Sequence, residues 1–180
     1  MAGQWDENDR VDAIALGWLR ERPGTPVEGI GIVTRVWQCA KLLGEDRGRV
    51  LAAAGADAAT LDLLSVLRRS GPPYELTTRE LTDRTQVTAG AVSQRVARAE
   101  REGLVARRGE QSSRAVTVTL TPAGHDVVER LVDRVLGREA DLVSRLTPDQ
   151  QSALTELLRL LLNSLQDQLG EQRPTQVGST

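Results

Sequence analysis

The segment Arg114 to Leu120 alternates strictly, with Val116, Val118 and Leu120 on one side and Thr117 and Thr119 on the other. A period of two does not fit a helix, whose side chains repeat every 3.6 residues, so this segment predicts a half-buried strand. Gly109-Glu110-Gln111-Ser112-Ser113 is a polar turn, and Leu104 to Arg108 before it predicts the other arm of a hairpin. Tyr74-Glu75-Leu76 has room for one further edge strand at most. The rest reads as helix. With three Trp, one Tyr and no Phe, the core must be Leu, Val and Ala, a palette that favours helices over a β-sandwich.

The helices announce their own ends. Asp9 to Arg22 is amphipathic, with Val11, Ile14, Ala15 and Trp18 at helical spacing, and Pro23-Gly24 stops it. A long pattern from Val27 toward Ala54 puts Ile30, Val33, Val36, Trp37, Ala40 and Leu43 on one face, with Gly55 at its end. Asp57 predicts an N-cap for a helix to Arg69, with Leu61, Leu64 and Leu67 inward, before Gly71-Pro72-Pro73. Thr77-Thr78-Arg79-Glu80 fits a capping box for a brief helix to Arg84. Gln86-Val87 is a turn, and Thr88 caps a second helix from Ala89 to Glu102, ended by Gly103. After the hairpin, Thr121-Pro122 starts a helix to about Arg145, and Thr147-Pro148 starts another to about Leu169. The polar tail Gly170 to Thr180 is expected to be disordered.

A short helix, a tight turn, a second helix and a hairpin make a winged helix-turn-helix. The fold class is therefore mainly α with a small β-hairpin wing. A second helix with small and polar residues at its start can enter the major groove, which is about 12 Å wide. Thr88, Ala89, Gly90, Ser93, Gln94 and Arg98 supply that surface, Gln94 for an adenine edge and Arg98 for a guanine or a phosphate. Ser112, Ser113 and Arg114 at the hairpin tip can follow the backbone or enter the minor groove.

Charge supports a polyanionic partner. The whole chain carries −2, but Arg68 to Arg114 holds ten arginines against six acids, +4, leaving −6 elsewhere. Of the 23 basic residues only Lys41 is a lysine. One cysteine, Cys39, and one histidine, His125, argue against a metal cluster, a disulfide framework or a Ser-His-Asp triad. No nucleophile–base pair or phosphate-cradling glycine loop points to an enzyme, and no cofactor is implied. Met1 to Arg10 shows no signal peptide, and no apolar run reaches the roughly 18 residues of a membrane span, so a cytoplasmic protein is expected.

Leu61–Gly71, Leu81–Gly103 and the hairpin from Arg107-Arg108 to Arg114-Ala115-Val116, followed by Leu120-Thr121-Pro122-Ala123-Gly124, resemble the MarR family of bacterial transcription regulators. The resemblance covers roughly Val27 to Leu165. It departs at the wing tip, where Ser112-Ser113-Arg114 stands for the family's Asp-Arg-Arg and the Asp–Arg brace is absent. It implies a homodimer built by N- and C-terminal dimerisation helices, and so a near-palindromic DNA operator. Leu154, Leu158, Leu161, Leu165 and Leu169 form a near-heptad stripe, widened by Leu157, Leu160 and Leu162, that must be buried somewhere. The expected organisation is N-terminal helices over 1–56, a winged helix-turn-helix over 57–122, dimerisation helices over 123–169 and a tail over 170–180.

An extra N-terminal helix with Trp18, together with Asp62, Arg95 and Arg107, is similar to the urate-responsive, PecS/TamR-like branch of that family. The resemblance implies that these four residues form a pocket for a small anionic effector of the urate, purine or tricarboxylate type. Arginine forks suit such an anion, and Asp62, among apolar neighbours, needs a cation, Arg95 or Arg107. The function implied is a ligand-responsive repressor; a winged-helix protein-interaction module that binds no DNA is the alternative. Cys39 is expected to be a buried structural residue, His125 a solvated or capping one, and Trp5 part of helix packing or of a disordered arm.

Overall fold

The computed structural model describes residues 5–109 and 116–170. The expected disordered tail beyond 170 and the wing-tip residues Ser112, Ser113 and Arg114 lie outside the described residues. Two compact units divide the chain, Met1–Arg47 and Gly48–Thr180.

The first unit holds helix α1 (Arg10–Glu21) and most of α2 (Ile30–Ala53). Asp9 caps α1 by accepting from the amides of Val11 and Asp12. Arg35 of α2 lies 2.8 Å from Asp9 and 2.9 Å from Asp12, so one guanidinium holds both carboxylates. The Trp5 ring packs on α2 where a Cβ at Gly31 would come within 3.3 Å of it, which makes Trp5 a helix-packing residue. Farther along α2, Ile32, Val33, Val36, Trp37, Leu42 and Leu43 are exposed. Cys39 is exposed with them, which corrects the expectation of a buried cysteine: the apolar face of this stretch faces solvent in the single chain.

The second unit contains α3 (Ala58–Arg69), β1 (Glu75–Thr77), α4 (Thr78–Thr85), α5 (Ala89–Arg101), β2 (Val105–Arg108), β3 (Thr117–Leu120), α6 (Pro122–Val143) and α7 (Pro148–Leu169). Local chemistry sets most of these limits. Thr77 and Glu80 form the capping box of α4. Gln86 ends α4 in the left-handed region at φ 56°, and Thr88 caps α5 only two residues later, which makes the turn tight. The sheet is antiparallel in the order β1-β3-β2, with Val105 opposite Leu120 and Leu76 opposite Val118. The alternation read from sequence is the pleat: Val118 and Leu120 face the core and Thr117 and Thr119 lie between.

Leu63, Leu64, Leu67, Leu81, Val92, Val96, Val118 and Val128 form one core, and Leu51, Leu61, Leu131 and Val135 a second. Leu63 and Val66 are buried along with the three leucines expected on α3, because α3 packs against α4, α5, β3 and α6 and is covered on several sides. The hairpin is tied to α6 by Thr121, whose hydroxyl donates to the carbonyls of Gly103 and Leu104. Helix α7, by contrast, buries no residue within the chain. No single helix among the described residues is long and apolar enough to cross a membrane.

Candidate nucleic-acid interface

Helix α5 is two-faced. Val92, Val96 and Ala99 point into the core. Thr88, Ala89, Gly90, Ser93 and Gln94 are exposed on the outer side, all small or hydrogen-bonding. The Thr88 hydroxyl accepts from the Ala91 amide, which fixes where this face begins. Beside it runs a groove of about 430 Å³ between α4, α5 and the hairpin, lined by Thr78, Arg79, Thr82, Ser93 and Arg107 among others.

The arginines of α5 do something else. Arg95 donates to Asp62 at 2.8 Å, with Asp62 buried and Arg95 23% exposed. Three residues on, Arg98 donates to Asp57 and, through Nε, to Glu102 at 2.9 Å. Two ion-pair rungs therefore join α5 to α3. Arg107 of β2 lies 3.0 Å from Glu100 of α5, but its Nε–H is not aimed for a hydrogen bond. Arg68 pairs with Glu129 at 3.1 Å and lies over the Tyr74 ring, which meets His125 edge-on. His125 is thus a packing residue rather than a solvated one.

So the structure brings Asp62 and Arg95 together, as the buried carboxylate required, and places Arg107 against Glu100. Trp18 lies on α1 in the first unit and is half exposed. Arg98, read from sequence as a base or phosphate contact, is held by two carboxylates. Among the described residues, Arg79, Arg101 and Arg108 are exposed and carry no ion pair. In the sequence these three stand out only as part of the basic charge from Arg68 to Arg114. The available signal was the ends on which they sit: the first turn of α4, the last turn of α5 and the end of β2.

Burial raises the Asp57 carboxyl, but the Thr60 amide and hydroxyl and the Arg98 guanidinium together outweigh it and hold it below its ordinary value. Arg98 is raised in turn, by Glu102 first and then Asp57. A depressed folded-state carboxyl contributes stability that is present above the unfolded value, about pH 4, and is lost as pH falls below it. Asp57→Asn is therefore expected to flatten the acid limb of the stability curve below about pH 4. Acid titrations of the two proteins followed by circular dichroism would show it; superimposable limbs would remove Asp57 from the account.

A MarR family model matches residues 55–115, the part of the chain from the α3 cap through the hairpin turn. The HTH-type transcriptional regulator PecS of Dickeya dadantii is 26% identical over 149 residues, covering 82% of this chain and 90% of PecS. Sco3205, a MarR family regulator from Streptomyces coelicolor solved in complex with DNA, is 31% identical with a TM-score of 0.64. That match covers 77% of this chain and 92% of Sco3205. A MarR variant from E. coli complexed with operator DNA shares the fold at 23% identity and a TM-score of 0.59, over 75% of this chain and 98% of its own. With its helical frame, three-stranded wing and helix-turn-helix, the chain belongs to the MarR family of transcriptional regulators.

Proposed function

We propose that this regulator binds a near-palindromic double-stranded DNA operator as a homodimer, represses transcription there, and is released by a small anionic effector. The observation that carries the DNA reading is the outer face of α5, where Thr88, Ala89, Gly90, Ser93 and Gln94 stand exposed at the start of a capped helix. A helix N-terminus lined by short side chains can approach base edges closely, and Gln94 has the donor–acceptor pair that adenine requires. Arg79 is exposed and lines the groove beside that face with Ser93 and Arg107, and Arg108 is exposed next to Arg107 at the end of β2, where phosphate contacts would form. Ser112, Ser113 and Arg114 are assigned to the adjoining backbone or minor groove on sequence alone.

Leu157, Leu158, Leu160, Leu162 and Leu165 of α7 are 43–64% exposed in the single chain. So wide an apolar surface on one helix is the mark of an interface, and a second copy is the natural cover. Two copies would present two α5 helices to half-sites about 34–36 Å apart.

Fluorescence anisotropy with fragments of the regulator's own upstream DNA tests the reading. The logarithm of affinity should fall linearly with the logarithm of salt, by about 0.9 per phosphate neutralised. Gln94→Ala should weaken binding about 5–150-fold at one base pair, the equivalent of about 1–3 kcal/mol. Arg79→Ala should weaken it evenly across sequences and reduce the slope by about 1. An absence of salt-dependent DNA binding would leave the protein-interaction module as the better reading, and a monomer in sedimentation at micromolar concentration would remove the dimer.

We assign the effector response to the Asp62–Arg95 rung. An anion competing for Arg95 would loosen α5 from α3 and shift the face that reads DNA. Titration of urate, xanthine, trans-aconitate and citrate into the DNA complex should lower affinity by roughly 5–150-fold for the right chemistry.

A further inference from the structure

A second basic site lies on the other rung. A pocket of about 250 Å³ opens between the α2–α3 turn, the last turn of α5 and the middle of α6. Its polar lining includes Thr60, Arg98, Glu102, Arg130 and Arg134. Three guanidiniums face one space.

Their pairing is uneven. Arg98 is satisfied by Asp57 and Glu102, the two carboxylates nearest to it. Arg130 and Arg134 are exposed and, among the described residues, carry no ion pair or hydrogen bond. They stand four residues apart, on one face of α6, where like charges repel each other. Of the nearby acids on α6, Glu129 is committed to Arg68 at 3.1 Å, and Asp126 and Asp133 are exposed and form no ion pair with either arginine among the described residues. Two adjacent cations without partners, beside a third that is already paired, gain nothing for the folded chain. They gain a great deal from a compact polyanion, because each planar fork can donate two parallel hydrogen bonds to a carboxylate or phosphate.

We propose that this pocket binds a small polyanion, polyphosphate or polycarboxylate, through Arg98, Arg130 and Arg134, at a site separate from Asp62 and Arg95. The volume admits a molecule the size of pyrophosphate or citrate. Arg98 belongs to α5, so an occupant places negative charge against the back of the helix whose front is assigned to DNA. That charge weakens the local positive field and draws Arg98 toward α6, and both effects oppose DNA binding. This regulatory consequence rests on the DNA reading above; the binding site itself does not.

Isothermal titration of the full chain with pyrophosphate and with citrate, at constant ionic strength, tests the site without DNA. Saturable binding is expected, and Arg130→Gln/Arg134→Gln should weaken it at least about tenfold, since two of three charge-assisted partners are lost. Both positions are exposed and their charges repel each other, so the melting temperature of the double variant should be unchanged or slightly raised and serves as the folding control. The stronger of the two probes identifies the anion chemistry. No saturable heat with either, or equal affinity in the double variant, would overturn the site. In the presence of DNA, saturating anion should lower DNA affinity at least fivefold in the wild type and not in the double variant. Unchanged DNA affinity would overturn the coupling to α5, whereas no DNA binding under any condition would count against the DNA reading and leave the titration result standing.

Discussion

Gly124→Ala should destabilise the chain by about 3 kcal/mol, the upper end of the usual cost of overpacking, and lower the melting temperature by about 6–12 °C. A Cβ at position 124 would lie 2.0 Å from the Leu104 carbonyl oxygen and 3.0 Å from the Leu120 side chain. The carbonyl is backbone and cannot swing aside. It also accepts from Thr121, whose hydroxyl bonds Gly103 and Leu104 and so fixes where the hairpin meets α6. The glycine of the Leu-Thr-Pro-x-Gly run is thus required by a close approach of helix to hairpin. Gly137 is the control: it lies in the same helix, and a Cβ there would meet nothing within 4 Å. Gly137→Ala should be neutral or stabilising by up to about 1 kcal/mol. Equal melting temperatures for the two variants would show that the hairpin can give way at position 104.

Arg95→Ala should cost about 3 kcal/mol, the low end for breaking a buried pair, because Arg95 keeps 23% of its side chain exposed. Asp62 loses a partner 2.8 Å away while remaining buried between core leucines. Asp62→Ala/Arg95→Ala should be less damaging than the sum of its parts, since removing both charges removes the desolvation penalty with the attraction. Chemical denaturation of all four proteins measures the coupling, and strictly additive losses would mean that the pair contributes nothing. The same cycle carried into the anisotropy experiment separates stability from signalling: a variant that folds, binds DNA and no longer responds to any anion would place the response at this rung.

Much of the secondary structure was legible because its causes are local. Asp9, Asp57, Thr77, Thr88, Thr121 and Thr147 each cap the helix that follows, through a side-chain oxygen and an amide two or three residues away. Nothing distant is needed to see them. The inward face of the hairpin followed from the alternation of Val118 and Leu120 with Thr117 and Thr119 for the same reason, whereas its register is a property of the packed sheet. Arginine was harder. Its side chain reaches across elements: the Arg98–Glu102 pair is an i,i+4 neighbour visible in the sequence, but only the position of the α3 cap shows that Asp57 holds Arg98 as well. Arg79 and Arg108 stand out only in the packed surface, where they form no ion pair even though Glu80 and Asp83 lie close to Arg79 in sequence. Cys39 was expected inside because its neighbours are apolar, but an apolar face on a helix says only that something must cover it.

The sequence by itself determined the order of helices and strands, the winged helix-turn-helix and the basic character of its middle third. Those are fixed by periods, caps and turn residues acting over a few positions. Tertiary structure decided which arginines are spent on internal carboxylates and which remain available, why position 124 must be glycine, and that no residue of α7 is buried among the described residues. Each of these depends on distances between residues far apart in sequence, and electrostatic and steric energies are set by those distances rather than by residue type.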